Sequence, residues 1–365
     1  MNYISAMREL QRLLKTEWQH LSAVQPSDRR WQMPFAAALA SGLPLLVGSA
    51  FGHLDYGLVS SLGGMVFLYL GNTPLHHRMV VLMAAAFALT ACYALGLASQ
   101  FLPMMRIPAL IFATVLVSMA CRYFQLGPPG SLFFVMAASI GAYTPISPPD
   151  LLPQRVGLLF LGTLLACLVA FGYSVYCLRQ KAVPPAPPLP RPSFDFVVFD
   201  SLVIGAFVGI SLGLAQALQL ERPYWVPVSC LAVIQGTSLR AVWNRKVHRV
   251  LGTGVGMLVA WALLLLPMDT WSMALTMMAL AFVIETTVVR HYGFAVVFIT
   301  PLTILLAEAA SLGSTPPAVV IEARFLDTLL GCLAGLIGGV CLHSPRFRAV
   351  LGPPLRRLIP PRLMN

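Results

Sequence analysis

The sequence predicts an all-α, polytopic integral membrane protein with about 12 transmembrane helices, arranged as two parallel six-helix repeats. Three observations predict it. Hydrophobic residues make up 58% of the chain and charged residues 10%, with a mean hydropathy of +0.79, far from the mix of a soluble domain. Twelve apolar runs recur along the chain, most of them near the roughly 20 residues that a helix needs to cross a hydrocarbon core. One spacing occurs twice: Arg155 precedes Gly162 in RVGLLFLG and, 169 positions later, Arg324 precedes Gly331 in RFLDTLLG, each pair opening the last apolar run of its half.

The elements follow in order. Residues 1–33 read as a cytoplasmic amphipathic segment, with Ile4, Met7, Leu10, Leu14, Trp18 and Leu21 at helical spacing and Arg8, Arg12 and Lys15 between them. Such a helix lies on the membrane surface or packs beneath the bundle. The segment has no apolar core followed by a small-residue cleavage site, so no cleavable secretory signal is expected. Residues 34–178 form the first repeat, with spans near 35–52, 57–71, 79–98, 106–121, 131–146 and 156–177. A cytoplasmic linker at 179–194 carries Pro184, Pro185, Pro187, Pro188, Pro190 and Pro192, which favour a stiff polyproline II spacer. Residues 195–343 form the second repeat, with spans near 196–218, 225–238, 247–266, 271–289, 293–311 and 322–342. A basic cytoplasmic tail occupies 344–365. An even number of spans before the linker makes the halves enter the membrane in the same direction, related by an axis along its normal. Repeats of this kind often carry a transport pathway along their seam.

Positive charge sets the orientation. With the N-terminus inside, only Arg106, Arg155, Arg222 and Arg324 of the 24 lysines and arginines lie on the far side, so both termini are cytoplasmic by the positive-inside rule. The net charge of +11 then marks orientation and attraction to anionic inner-leaflet lipid, and no nucleic-acid partner is expected. The seven cysteines show no CxxC or Cys/His cluster, and His76, His77, His248 and His291 sit beside arginines in short loops. Neither a metal site, a disulfide framework nor a cofactor is expected. No GxxxxGK[ST] loop appears and no nucleophile–base pattern stands out. The chain is therefore not expected to be an enzyme, and any energy must come from an ion gradient.

The second, fifth, eighth and eleventh spans are short or interrupted, with Gly63-Gly64, Pro227 and Pro301 among them. In transporters such segments mark backbone lining a cavity; ordinary close packing at small residues is the alternative.

The second half contains Pro223-Tyr224-Trp225, then His248-Arg249-Val250-Leu251-Gly252-Thr253-Gly254-Val255-Gly256, then Thr300-Pro301, then Arg324 to Gly331. In that order, over most of 195–343, these segments resemble the fusaric acid resistance and aromatic acid exporter family. The first half shows a degenerate version with Tyr56, Arg78 and Arg155 to Gly162. The resemblance implies a bacterial inner-membrane exporter of aromatic or other weak organic acids, coupled to the proton gradient. Related plant malate channels suggest a passive anion pathway as the alternative. The chain lacks the long soluble domain of many members, which argues against a periplasmic adaptor as partner; a homo-oligomer stays open.

Chemistry of single residues points the same way. Arginine in an apolar span persists when paired or when it serves an anion, which makes Arg249, Arg324, Arg155 and Arg78 candidates for binding a small organic anion. Topological anchoring is the plainer account of Arg78 and Arg249, and a structural ion pair that of Arg155 and Arg324. Tyr224 and Trp225 offer flat apolar surface, unless they belong to an interfacial belt. Asp200, Glu285, Glu308 and Asp327 all lie in second-half spans, and a carboxylate in low dielectric takes and releases protons as its surroundings alternate. Glu308, with no cation nearby in sequence, ranks first as proton carrier, Asp327 second and Glu285 third. Asp327 stands three residues after Arg324, where a salt bridge would hold it ionised. Asp200 is expected to be hydrated near the cytoplasmic edge.

Overall fold

A computed structural model describes residues 15–27, 29–146, 151–179, 185, 188, 193, 195–308 and 317–357. Every regular element among them is helical. In the first half these are α1 (Gln32–Ala50), α2 (Leu54–Gly63, prolonged by a 3-10 turn Gly64–Tyr69), α3 (Leu75–Ala98), α4 (Arg106–Tyr123), α5 (Leu132–Gly141) and α6 (Leu151–Leu178). A π turn, Asp195–Phe199, then leads into α7 (Asp200–Ala217), followed by α8 (Trp225–Ile234), α9 (Leu239–Leu264), α10 (Thr270–Thr287), α11 (Tyr292–Glu308), α12 (Pro317–His343) and α13 (Pro345–Arg357).

Eight of these helices are long and apolar enough to cross a membrane: α1, α3, α4, α6, α7, α9, α10 and α12. The other four apolar helices fall short of that length, at 10 residues each for α2, α5 and α8 and 17 for α11. They are the second, fifth, eighth and eleventh in order. The expectation of about 12 spans thus reduces to eight by length and composition. Enclosure supplies the physical reason. A helix facing lipid must cover its backbone across the hydrocarbon layer, whereas one wrapped by protein need not match that thickness. All 10 residues of α8 are buried, while α9 and α6 show Leu251, Leu258, Leu161 and Leu168 to the outside.

The packing has a pattern. In the first set α2 lies against α1 and α6, and α3 against α5 and α6; in the second, α8 lies against α7 and α12, and α9 against α11 and α12. Three further contacts cross between the sets, α4 with α7, α10 with α1 and α5 with α8. Glycine permits the closest approaches. A Cβ on Gly162 of α6 would strike the carbonyl of Ser60 on α2, and one on Gly331 of α12 would strike the carbonyl of Val226 on α8. These are the glycines of the repeated Arg-to-Gly spacing, so that spacing encodes a helix contact. A Cβ on Gly252 or Gly256 of α9 would stand 2.6 Å from a carbonyl oxygen of Gly293 or Val297 on α11, the small-residue contact common between membrane helices.

The described part of the N-terminal segment packs beneath the bundle. The Gln25 N–H donates to the Arg290 carbonyl at 2.8 Å, and Glu17 pairs with Arg240 at 2.6 Å. Ring nitrogens of His248 and His291 both reach the Leu21 carbonyl, at 2.9 and 2.8 Å. Ile4, Met7, Leu10 and Leu14 lie outside the described residues, as does most of the 179–194 linker. Of the expected basic tail, the described part is helical as α13, anchored by Arg356 to Asp195 at 2.6 Å and by Arg348 to Asp200 at 2.5 Å.

Candidate functional site

A cavity of about 1070 Å³ runs into the bundle between the two sets of helices. All four short helices reach it, through Leu62 and Leu68 region residues of α2 and its 3-10 turn, Phe133 of α5, Val228 of α8 and Thr303 of α11. Its rim is built from Arg29, residues 125–131, Gly236, His343 and Arg348, all at the end of the bundle where α4 stops and α5 and α9 begin.

Charge on the wall is predominantly positive. Arg29, Arg122, Arg245, Arg249, Arg324 and Arg348 face the cavity with only Asp200 and Glu285 as acids. Three of these arginines are matched: Arg29 lies 3.6 Å from Glu285, while Asp200 takes Arg122 on one oxygen at 2.8 Å and Arg348 on the other at 2.5 Å. Among the described residues, no acid stands within ion-pair distance of Arg245, Arg249 or Arg324. Arg249 and Arg324 are each 5% exposed, so they sit as cations in a poorly hydrated wall.

Local structure explains how they are held there. Close contact of α9 with α11 at Gly252 and Gly256 brings Arg249, one turn earlier, beside Tyr292 at the start of α11. Arg249 Nη1 donates to Tyr292 Oη at 3.1 Å, and Nε and Nη2 reach Ser229 Oγ at 3.4 and 3.3 Å. Contact of α12 with α8 at Gly331 likewise sets Arg324 over the ring of Trp225, 4.1 Å from its centroid. A cation over indole gains from the ring quadrupole, but that contact uses no N–H group. Among the described residues, Nε and Nη1 of Arg324 have no hydrogen-bond partner. A buried, unpaired guanidinium is costly, and a bound anion would remove that cost.

The other sequence candidates fall elsewhere. Arg78 is buried, but its donors are used locally by Thr73 O at 2.5 Å, Asn72 Oδ1 at 3.2 Å and Ser174 Oγ at 3.3 Å. Arg155 lies 3.9 Å from Asp55. Neither lines the cavity. Tyr224 stacks near Trp225, with centroids 5.3 Å apart, behind the wall. Glu285 faces the cavity, matched by Arg29. The side chain of Glu308 lies outside the described residues. Asp327 is 1% exposed and away from the cavity lining; neither carboxylate oxygen has a partner, so the salt bridge expected with Arg324 is not formed. Asp200, expected to be hydrated, is instead 5% exposed between two arginines. Sequence reasoning missed Arg29, Arg122, Arg245 and Arg348 as wall residues. Their positive-inside placement was visible, but their convergence on one cavity was not.

Residues 207–338 match the family described as Fusaric acid resistance protein-like, the stretch in which the resemblance was read. The chain is also 23% identical to the "Uncharacterized membrane protein YvaC" of Bacillus subtilis (strain 168), over 86% of this chain and 72% of that protein. No solved structure matches the chain.

Proposed function

We propose that this chain is a transporter of the bacterial inner membrane that exports aromatic or other weak organic acids, coupled to the proton gradient. On this reading it is built from two parallel six-helix repeats, with both termini cytoplasmic. The single observation that carries the reading is the pair Arg249 and Arg324, buried in the wall of a cavity between the two sets of helices without an acid to match them. The family match supports a transport role, and the recurrence of α1–α6 contacts in α7–α12 supports the repeat. The anion would enter at the basic rim, lose water against the apolar wall and exchange it for the free N–H groups of Arg324, with Trp225 beside them. Asp327, on the same helix and without a partner for either oxygen, is a place where a proton can be taken up three residues from the anion site. Glu308 stays a coupling candidate from its sequence position.

The test is uptake of a labelled aromatic acid into proteoliposomes with an imposed proton gradient. Losing a charge-assisted contact of about 1.5–3 kcal/mol should cut transport by Arg249→Gln and Arg324→Gln about 10- to 100-fold. Lysine at either position should rescue only partly, because it offers a point charge and no fork. Undiminished transport by both Gln variants, at normal expression, would sink the reading. The passive-channel alternative has one observation in its favour: Asp200 and Glu285, the acids on the cavity wall, are both already matched by arginines. The two readings separate on Asp327→Asn and Glu308→Gln. If export is coupled, one of them loses accumulation while keeping counterflow; a channel shows neither loss.

A further inference from the structure

The cavity is larger than an acid with a single ring requires. At about 1070 Å³ it stands at the top of the range of roughly 300–1,000 Å³ that encloses drug-sized ligands. Its uncharged wall is mainly aliphatic and sulfur-bearing, with Met65, Met136 and the adjacent Met277 and Met278 drawn from three different stretches of helix, together with Ile299 and Leu302. Methionine has three rotatable bonds and a polarizable thioether, so such a wall repacks around bodies of different shape. Against this apolar area stand the arginines without an acid: among the described residues Arg324 offers Nε and Nη1 with no partner, whereas Arg249 spends its donors on Ser229 and Tyr292 and Arg245 gives Nη1 to the Ala232 carbonyl at 3.3 Å.

One charge station and a long adaptable wall specify the ligand's shape. We infer that the cavity takes water-borne amphipathic monoanions with an extended, flexible apolar body: a carboxylate head at Arg324 and an alkyl or arylalkyl chain along the methionine wall. The inference rests on the transport reading, and deepens it by naming the part of the substrate that supplies affinity. A small rigid acid would leave much of the wall wet.

Binding tests the inference apart from transport. The full chain in nanodiscs of zwitterionic lipid is titrated with radiolabelled n-alkanoates of increasing length and with benzoate, and affinity is referred to free aqueous concentration. Each added methylene should tighten binding about fourfold until the cavity is filled. Arg324→Gln should weaken every member about 10- to 100-fold. Ala281→Phe, placed on the cavity wall of α10, should remove the gain for long chains while leaving benzoate within about twofold; Ala281→Leu gives a smaller version of the same truncation should the larger ring prevent folding. Benzoate binding as tightly as the long acids would overturn the inference. So would a chain-length gain untouched by both the Arg324 and Ala281 variants, because that is partition into lipid, and so would displacement of the acids by an anionic phospholipid added to the nanodiscs. Length-dependent, arginine-dependent binding with no gradient-driven movement of any acid would uphold the inference and reject the export reading alone.

Discussion

At the scale of residues, the cavity wall is organised by which arginines have acids and which do not. Asp200 shows the difference. Its two oxygens each hold an arginine, Arg122 from α4 and Arg348 from α13, so Asp200→Asn would leave two cations together with no acid between them. Breaking a buried pair by removing one partner costs about 3–5 kcal/mol. Arg348 keeps 34% side-chain exposure, which places the expected loss near the lower end, about 3 kcal/mol. The measurement is thermal unfolding followed by a thiol-reactive dye, which reports on buried cysteines such as Cys92 and Cys230. Asp200→Asn should lower Tm by several degrees, and the double variant with Arg122→Gln should recover part of that; an unchanged Tm in the single variant would contradict the account. Residue-type reasoning reached Arg249, Arg324, Trp225 and Glu285, because few explanations other than an anion or a partner justify charge in an apolar span. It could not separate them from Arg78 and Arg155, whose partners include Asn72 and Thr73 nearby and Ser174 and Asp55 far away in the chain. Asp200 was misplaced because its arginines stand 78 and 148 positions away, a separation over which sequence pattern carries no contact information.

At the scale of elements, composition and periodicity located the apolar helices, and their lengths marked four that reach the cavity, though longer helices such as α1, α9 and α10 line it as well. Small residues carried the rest of the signal. Gly162 and Gly331 sit where a Cβ would collide with the backbone of α2 and α8, while Gly157 and Gly172 on α6 have no neighbouring atom within 4 Å of that position. Alanine at the first two must therefore push helices apart, at about 1–3 kcal/mol. At the other two it should be neutral or raise stability by up to about 1 kcal/mol, from helix propensity alone. Melting temperatures of the four single variants check this directly, and equal effects at all four would refute the contact role of the repeated spacing. Sequence did not reveal that α13 would be a helix bound to the bundle. Pro353 and Pro354 lie inside it, residues that disfavour a helix interior, and its anchoring acids, Asp195 and Asp200, lie far away in the chain. The start of α10 offers a pH-dependent detail. Asp269 accepts from the Ser272 N–H at 2.9 Å, and this hydrogen bonding holds its carboxyl below the usual value of 3.8. Because the folded-state value is depressed, the cap contributes fully above about pH 4 and is lost as pH falls through that lower value. Asp269→Asn, which keeps the acceptor and drops the charge, should flatten the stability profile only in that acidic window.

At the scale of the whole molecule, the two sets of helices are interlocked, since α1 packs on α10 and α4 on α7. The proposed orientation places Asp269 outside and the linker and α13 inside. In a cysteine-free background, a membrane-impermeant thiol reagent should label Asp269→Cys in intact cells and should reach Ala186→Cys only after lysis; the reverse pattern would overturn the topology. The shared carboxylate of Asp200 also fixes an order of events during synthesis. Arg122 is inserted before the acid that neutralises it exists, 78 residues before Asp200, and Asp200 must wait a further 148 for Arg348. Once Asp200 is made Arg122 has its acid, and until α13 leaves the ribosome the second oxygen of Asp200 still lacks Arg348. Closure of this cluster is therefore among the last steps of assembly, since it ties a residue of α4 to one on the last of these helices to be translated.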